Sequence, residues 1–326
     1  MQTALLLIAA WLLDAAIDEP RRAHPLSLFG TLAERLEQGL NKSHRPPHNL
    51  LLLGILALIL LTIPPALTAV WLIHIPNGWI LELLILFFCL GAHSLSHHAA
   101  AVVSALRQTA HTTDLAAARL EVSALVSRDT SSLKHEGIAA ATTESILENG
   151  NDALFATLFW FFVAGAPGAL THRLVNTLDA MWGYRNQRFA AFGWAAARTD
   201  DLLGWLPARL TALTYALLGG RPYSIMRRAA AQARQWPGVN PGIVLASGAL
   251  ALRIKLGGPT PYPEGVRDRP WLGETGLDNN PRASDNHSLS PDNTTILAAW
   301  RLLWQGAWLW LGIALAGSIA FNHLAY

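Results

Sequence analysis

The hydrophobic positions of this chain gather into long blocks separated by short polar stretches. Thr3 to Ile17 is apolar apart from Asp14, with neither a basic leader nor an A-x-A cleavage site. It predicts a retained, short or tilted membrane helix rather than a signal peptide. Leu50 to Ile73 predicts a span kinked at Pro64-Pro65, which membrane helices tolerate where neighbours satisfy the freed carbonyls. Trp79 to Leu106 predicts a third, with Glu82 near one end and His93, His97 and His98 in its second half. Ala153 to Leu170 is a fourth, and Leu297 to Ala320, carrying Trp300, Trp304, Trp308 and Trp310, is the last. Since about 20 apolar residues cross a bilayer, the second and last blocks are the safest spans. The expected fold is an all-α, polytopic integral membrane protein with about four to five membrane-embedded helices plus interfacial amphipathic helices. It is expected to form a single domain over residues 1–326, with a mobile polar loop at 259–295 and a C-terminal membrane helix at 297–320.

Charge orients these blocks. The first connection carries Arg21, Arg22, Arg35, Lys42 and Arg45, and the one from His74 to Gly78 carries no Lys or Arg. The excess of positive charge in cytoplasmic loops then places Pro20–Asn49 and Arg107–Asp152 in the cytoplasm and His74–Gly78 outside. A simple crossing by Ala153–Leu170 would carry Arg173, Arg185, Arg188, Arg198 and Arg209 outward, against that tendency. The same block holds Gly165-Ala166-Pro167-Gly168, which weakens a straight helix. Either the segment breaks at Gly165–Gly168 or turns back against a cavity, or it is an ordinary span followed by an extracytoplasmic region.

Composition agrees with a membrane chain. Charged residues are 14% and hydrophobic ones 52%, with 13 Trp against 5 Tyr, where a soluble domain carries about 25% charge. A net charge of +2 is too small to argue for a nucleic-acid surface, so none is expected as partner. The single cysteine, Cys89, rules out an intrachain disulfide and a thiolate cluster.

Two polar constellations carry candidate chemistry. Glu136 to Asp152 reads as a helix anchored by Ile138, Ile146 and Leu147, with Glu144, Glu148 and Asp152 in one stripe at i, i+4, i+8. Like charges at that spacing repel, so the stripe is either a solvated acidic face or is met by a cation, arginines or a magnesium ion on oxygen ligands. The second runs from Asn176 to Leu210. Asn176 and Asp179 lie one turn apart, Tyr184, Arg185 and Asn186 follow a break at Gly183, and Arg198 and Asp201 have ion-pair spacing. Trp194, Leu202 and Trp205 give this helix an apolar, interfacial side. Arg128, Arg185, Arg198 and Arg209 serve either structural ion pairs or phosphate, which the planar guanidinium fork suits. His93 and His97 lack a third ligand for zinc. Leu256–Pro259 is a turn without a P-loop ending, and Glu274–Asn293 reads as a mobile loop.

The stretches "LLDAAIDEPRRAHPLSLFG", "VSRDTSSL", "ESILENGNDALFATLFWFFVAGAPGAL" and "NTLDAMWGYRNQRFAAFGWAAARTDDLLGWLPARLTAL" resemble the adenosylcobinamide-phosphate synthase family of cobalamin assembly, the CobD/CbiB membrane proteins. The resemblance covers most of Leu12 to Gly273. Glu19 stands where the family usually has Asp before Pro20. A Ser-Pro-Asn-Ala-Gly block of the family reads "WPGVNPGIVLASGAL" here, with Gly238 in place of the Asn and Asn240 two residues later.

The resemblance implies ATP-dependent amide formation between the free propionate of adenosylcobyric acid and (R)-1-aminopropan-2-ol O-phosphate or a related amino alcohol. It implies an acyl-phosphate route with ATP as co-substrate and magnesium as the metal. It then implies Glu144, Glu148 and Asp152 for magnesium or amine, and Arg128, Arg185 and Arg198 for phosphate. Asp179, Asp200 or Asp201 would serve as base, with Asp14 and His24 near the mouth. Asp129, Thr130, Asn149, Asn176, Tyr184, Asn186 and Arg209 complete the implied substrate-binding set. Implied partners are the corrinoid, the amino-alcohol phosphate, membrane lipid and other late cobalamin-assembly membrane enzymes, with the active face on the cytoplasmic side of the cell inner membrane. The alternatives are a catalytically altered membrane relative acting as scaffold or sensor, and a small-molecule transporter.

Overall fold

The computed structural model describes residues 2–16, 24–109, 114–262, 265–274 and 290–324. They are mostly helical: α1 (Gln2–Ala16), α2 (Pro25–Leu40), α3 (Pro47–Ile73), α4 (Gly78–Cys89), α5 (Ala92–Gln108), α6 (Ala116–Ser123), α7 (His135–Gly150), α8 (Ala156–Trp182), α9 (Trp194–Leu218), α10 (Pro222–Ala233), α11 (Pro241–Leu252) and α12 (Asn293–Leu324). A π-helical turn, Asn151–Phe155, joins α7 to α8. Among the described residues, three helical segments are long and apolar enough to cross a membrane: Pro47–Ile73, Gly78–Gln108 and His135–Trp182. Ala4–Asp14 and Pro241–Leu252 are shorter apolar helices. The expected spans from Leu50 and from Trp79 thus appear with nearly their expected limits. The C-terminal block forms the 32-residue α12. It covers the whole of the expected C-terminal helix at 297–320.

The chain divides into two compact units. The first comprises Met1–His93, Asp152–Leu206 and Leu311–Tyr326. Its core joins α2, α3, α8 and α9 through Ala33, Leu58, Leu61, Leu178, Trp182, Ala195 and Ala196, with Phe192 just ahead of α9. Alanines on the helix faces let large rings close the gaps: Trp182 and Phe192 meet edge to face with centroids 5.1 Å apart. The amphipathic α2 turns Ala33 and Glu37 inward. Glu37 is only 2% exposed and receives Nε and Nη2 of Arg188 at 3.0 and 2.6 Å. Asn41 Nδ2 adds a third donor at 2.7 Å. Pro64-Pro65 lies inside an unbroken α3.

The break expected at Gly165–Gly168 is present. Helix α8 leaves helical geometry at Ala164 (φ −139°, ψ 19°) and Gly165 (φ 62°, ψ −159°). The Gly165 conformation is essentially closed to residues with a Cβ. Gly168 then packs so close to an earlier turn that a Cβ there would stand 2.5 Å from the Trp160 carbonyl oxygen. Residues 160 and 168 would be about 12 Å apart along a straight helix, so the chain bends back sharply here. The Trp160 indole ties the bend down by donating to the Leu203 carbonyl at 3.0 Å. Glu82 of α4 reaches the same point, its Oε1 3.2 Å from where a Gly165 Cβ would be.

The second unit comprises Ser94–Asn151 and Pro207–Trp310. At its centre is α11, buried continuously from Gly242 to Leu250. It packs against α7, α10, β1 and β4, and α7 presents Ile138, Ile146 and Leu147, all fully buried. Two antiparallel ribbons follow. Strand β1 (Lys255–Gly257) pairs with β4 (Trp271–Gly273), and β2 (Thr260–Tyr262) with β3 (Gly265–Arg267). This corrects the expected polar loop over 259–274, because paired backbone and buried Leu256, Thr260 and Leu272 order that stretch. Residues 275–289, the middle of the expected mobile loop, lie outside the described residues, as do Ile17, Glu19 and Pro20. The end of β4 is fastened twice. Gln232 exchanges both amide hydrogen bonds with the Gly273 backbone at 2.9 Å. Arg228 pairs both guanidinium nitrogens with Glu274, at 3.1 and 2.8 Å.

A guanidinium-lined cavity as the candidate active site

Helix α7 positions the first set of site residues. Glu144 is 3% exposed and would be costly there as a bare charge. Instead Arg128 pairs with its Oε2. Arg269 Nη2 reaches Oε1 and Oε2 at 3.2 and 3.1 Å, and the Gly257 N–H donates to Oε1 at 2.8 Å. Of the partners the stripe allows for, arginine is what the structure supplies. Arg269 lies over the Trp236 ring, 4.9 Å from its centroid, and Arg267 over Tyr262 at 4.3 Å. Both stackings keep the planar guanidinium groups from swinging freely.

These groups line a cavity of about 490 Å³, whose wall also holds Glu148, Asn149, Pro237 and Asp268. That volume lies within the range of small-molecule sites. Asn149 Nδ2 donates to Ser145 Oγ at 2.8 Å, and Ser145 in turn to the Leu125 carbonyl at 3.3 Å. Asp129 and Thr130 form the turn that brings Arg128 into place. The Asp129 N–H donates to the Pro261 carbonyl at 3.1 Å, and its carboxylate accepts the Ser131 N–H at 2.9 Å. That bond holds the Asp129 carboxyl below the usual carboxylate range. Sequence reasoning found Arg128, Glu144, Glu148 and Asn149 but missed Arg267, Asp268, Arg269, Trp236 and Tyr262. The charged run "RDR" at 267–269 was the available signal, hidden in a stretch read as loop.

Asn240, which stands two residues after the family's expected position, is 7% exposed and accepts from Arg209 Nη1 at 2.9 Å. Its amide therefore links α9 to the start of α11. Trp236 and Pro237 of the same block are the residues that reach the cavity.

The first unit gathers the second set of site residues. Asn176 Nδ2 donates to Asp200 Oδ1 at 3.3 Å, and Asn176 Oδ1 lies 3.5 Å from Arg173 Nη1. Asp200 feels the charges of Asp152, Asp179 and Asp201, and burial first, then these neighbours, push its carboxyl up to about 8. Arg198 and Asp201 make the expected i, i+3 pair at 3.1 Å, largely exposed. Tyr184, Arg185 and Asn186 lie exposed after the end of α8, where Asn186 Oδ1 accepts the Phe189 N–H at 3.0 Å. Asp14, 1% exposed, accepts the His93 N–H at 3.1 Å and so caps the start of α5. His24 caps α2 by accepting the Leu26 N–H at 3.2 Å. Burial, then the nearby Arg173 charge, hold its imidazole below the usual histidine value.

Among the described residues, no group of three or more His, Cys, Asp or Glu side chains is arranged to hold a metal ion. Both Glu144 oxygens are already engaged by guanidinium and backbone donors. The Glu144–Glu148–Asp152 stripe therefore does not fit a resident magnesium site.

A mostly helical chain with three segments long and apolar enough to cross a membrane belongs to the polytopic integral membrane proteins, here with a cavity lined by arginines, carboxylates and aromatic rings. The model of the CobD/CbiB protein family matches residues 7–288, and the chain belongs to that family. "Cobalamin biosynthesis protein CobD" of Stutzerimonas stutzeri is 47% identical over 325 residues, covering 97% of this chain and 98% of the relative. The protein of the same name from Chromobacterium violaceum is 44% identical, covering 99% of each. That of Rhodobacter capsulatus is 38% identical, covering 87% of this chain and 91% of the relative. No solved structure matches the chain.

Proposed function

We propose that this protein works in cobalamin biosynthesis as an ATP-dependent amide-forming ligase, acting at the cytoplasmic face of the cell inner membrane. It joins adenosylcobyric acid to (R)-1-aminopropan-2-ol O-phosphate or a closely related amino alcohol. The observation that carries the reading is the cavity in which Arg128, Arg267 and Arg269 face Glu148 and Asn149. Guanidinium groups held in place suit a phosphate-bearing reactant, and a carboxylate beside them suits an amine that must lose a proton.

In this reading a propionate carboxylate of the corrinoid attacks the terminal phosphorus of ATP, giving an acyl phosphate and ADP. The amine nitrogen then attacks the acyl carbon, the carbon–oxygen bond to phosphate breaks, and inorganic phosphate leaves. Glu148 orients the ammonium end and accepts its proton. Magnesium accompanies the nucleotide rather than residing on the protein. The lipid-facing helices give the large corrinoid an apolar surface, and other late membrane enzymes of the pathway are its candidate partners.

The test uses the full chain in lipid nanodiscs with adenosylcobyric acid, ATP, magnesium and the amino-alcohol phosphate, and mass spectrometry of the corrinoid. Mass gain by one amide-linked amino-alcohol phosphate, dependent on ATP and abolished in Glu148→Gln, is the expected result. No corrinoid product from a folded wild-type protein, or full activity in the variant, would overturn the assignment.

A further inference from the structure

The sharp bend in α8 encloses a cavity of about 250 Å³ that the amide-forming reading does not use. Trp160 and Ala164 line it from before the break, Pro167, Thr171 and His172 from after it, and Leu203 from α9. No charged side chain among the described residues lines it. A dry cavity of about 150 Å³ already takes one benzene, and small-molecule sites start at about 300 Å³. This one therefore suits one end of a ligand rather than a whole one.

Most of the polar groups on its wall are already engaged. Trp160 Nε1 donates to the Leu203 carbonyl at 3.0 Å, and Thr171 Oγ1 to the Pro167 carbonyl at 2.8 Å. His172 is the exception. It is 2% exposed, and its Nδ1 is buried with no hydrogen-bond partner among the described residues. A buried polar atom in that state is destabilising, and a resident water needs about two to four polar neighbours, more than this wall has to spare. A hydroxyl answers the need better. It both donates and accepts, so it matches Nδ1 in either tautomer of the imidazole. A charged head is disfavoured, because no opposite charge on the wall compensates it. Glu82 Oε1, 3.2 Å from where a Gly165 Cβ would be, also sets an acidic group beside the bend, against an anion.

The surface around the cavity points to the source of such a hydroxyl. Phe162 and Val163 of α8 and Leu202 and Leu206 of α9 are all exposed, and α8 belongs to a segment apolar enough to cross a membrane. Large apolar side chains displayed there face lipid. The exposed Trp194 and Trp205 of α9 mark the interfacial level, where lipid hydroxyls lie.

We infer that the bend of α8 is a lateral binding site for an uncharged, hydroxyl-bearing membrane lipid of the diacylglycerol type. The lipid hydroxyl hydrogen-bonds to His172 Nδ1, its glycerol end fills the space between Trp160, Pro167 and Leu203, and its acyl chains run out over the exposed leucines of α9. The site shares no lining residue with the guanidinium-lined cavity and does not depend on the ligase reading.

The test is photo-crosslinking of the full chain in phosphatidylcholine nanodiscs doped with one of three diazirine-bearing lipids: a diacylglycerol, its analogue with hydrogen in place of the hydroxyl, or a fatty acid. Peptide mass mapping locates the label. The diacylglycerol is expected to label the peptides holding Trp160–His172 and Leu203 about fivefold more than the deoxy analogue, the factor one net hydrogen bond contributes, and more than the fatty acid. His172→Phe should lower diacylglycerol labelling to the deoxy level while leaving deoxy labelling unchanged, which also shows that the variant is folded. Ala164→Leu should reduce labelling by both, because it fills the cavity. Equal labelling of the wild type by the diacylglycerol and the deoxy analogue, stronger labelling by the fatty acid, label spread evenly over the other lipid-facing helices, or full diacylglycerol labelling of His172→Phe would overturn the proposal. Should His172→Phe fail to fold, the comparison of the three lipids on the wild type decides it alone.

Discussion

The two compact units treat buried carboxylates in opposite ways. In the second, Glu144 is nearly inaccessible yet is met by two guanidinium groups and a backbone N–H. In the first, Asp200 is buried among Asp152, Asp179 and Asp201, and the Asn176 amide donates a hydrogen bond to it. A carboxylate that is fully met by donors holds structure in place and stays charged. A carboxylate surrounded by its own kind resists ionisation, and so can take up or release a proton near neutral pH. The first arrangement supports architecture and ligand shape; the second stores unfavourable electrostatic energy that is characteristic of functional sites.

The contrast can be broken or sharpened by substitution. The largest effect is expected from Glu144→Ala, which strands Arg128 and Arg269 without their shared counter-ion. Breaking a buried pair from one side costs about 3–5 kcal/mol, to be seen as a large fall in Tm or loss of folded protein from the membrane fraction. An unchanged Tm would show that the guanidinium groups do not depend on Glu144.

Next is the break in α8. Gly165→Ala places a Cβ in a conformation that costs on the order of 1–3 kcal/mol, and the expected fall in detergent-solubilised Tm follows from that. If Tm rises instead, α8 is a straight helix at Gly165 in the native membrane.

Asp200→Asn should act in the other direction, and only in part of the pH range. An unfolded aspartate ionises near pH 4, whereas in the folded chain this carboxyl ionises at about 8. Below pH 4 both states are protonated and the group costs nothing. Between about 4 and 8 the unfolded state alone releases the proton, so stability falls as pH rises and levels off above 8. Removing the carboxyl should therefore stabilise the protein by about 1 kcal/mol at pH 8, after allowing for relaxation of its neighbours, with a smaller gain at pH 5. A gain independent of pH would exclude a titrating Asp200.

The smallest change is expected for Arg198→Ala. Its ion pair with Asp201 is exposed on both sides, and such pairs contribute about 0–1 kcal/mol. The loss should disappear in high salt; a salt-independent loss would mean that Arg198 does more than pair with its neighbour.

Much of this architecture is written in local sequence. Hydropathy marks the spans from Pro47 and Gly78 because lipid demands an unbroken apolar run. Gly165-Ala166-Pro167-Gly168 announces the bend because a positive φ and a close backbone approach each need a residue without a side chain. The acid stripe of α7 even allows for cations opposite it. What the pattern leaves open is which cations. Arg269 lies 125 residues from Glu144, in a stretch whose polar, Pro- and Gly-rich composition resembles a loop. Its order comes from strand pairing and from contact with α11, which are non-local and leave no periodic trace in segments of three residues. The role of Asn240 is hidden for the same reason, since its partner Arg209 lies 31 residues away.

The double fastening of β4, by the Gln232 amide on Gly273 and the Arg228 fork on Glu274, isolates the cavity wall from whatever the chain does next. An insertion just beyond Glu274 is expected to leave Arg269 and Trp271 in place, because two side chains of α10 hold the end of the strand. Helix α10 supplies both halves of that anchor, so a change at Arg228 or Gln232 is expected to reach the cavity wall that a change beyond Glu274 leaves alone.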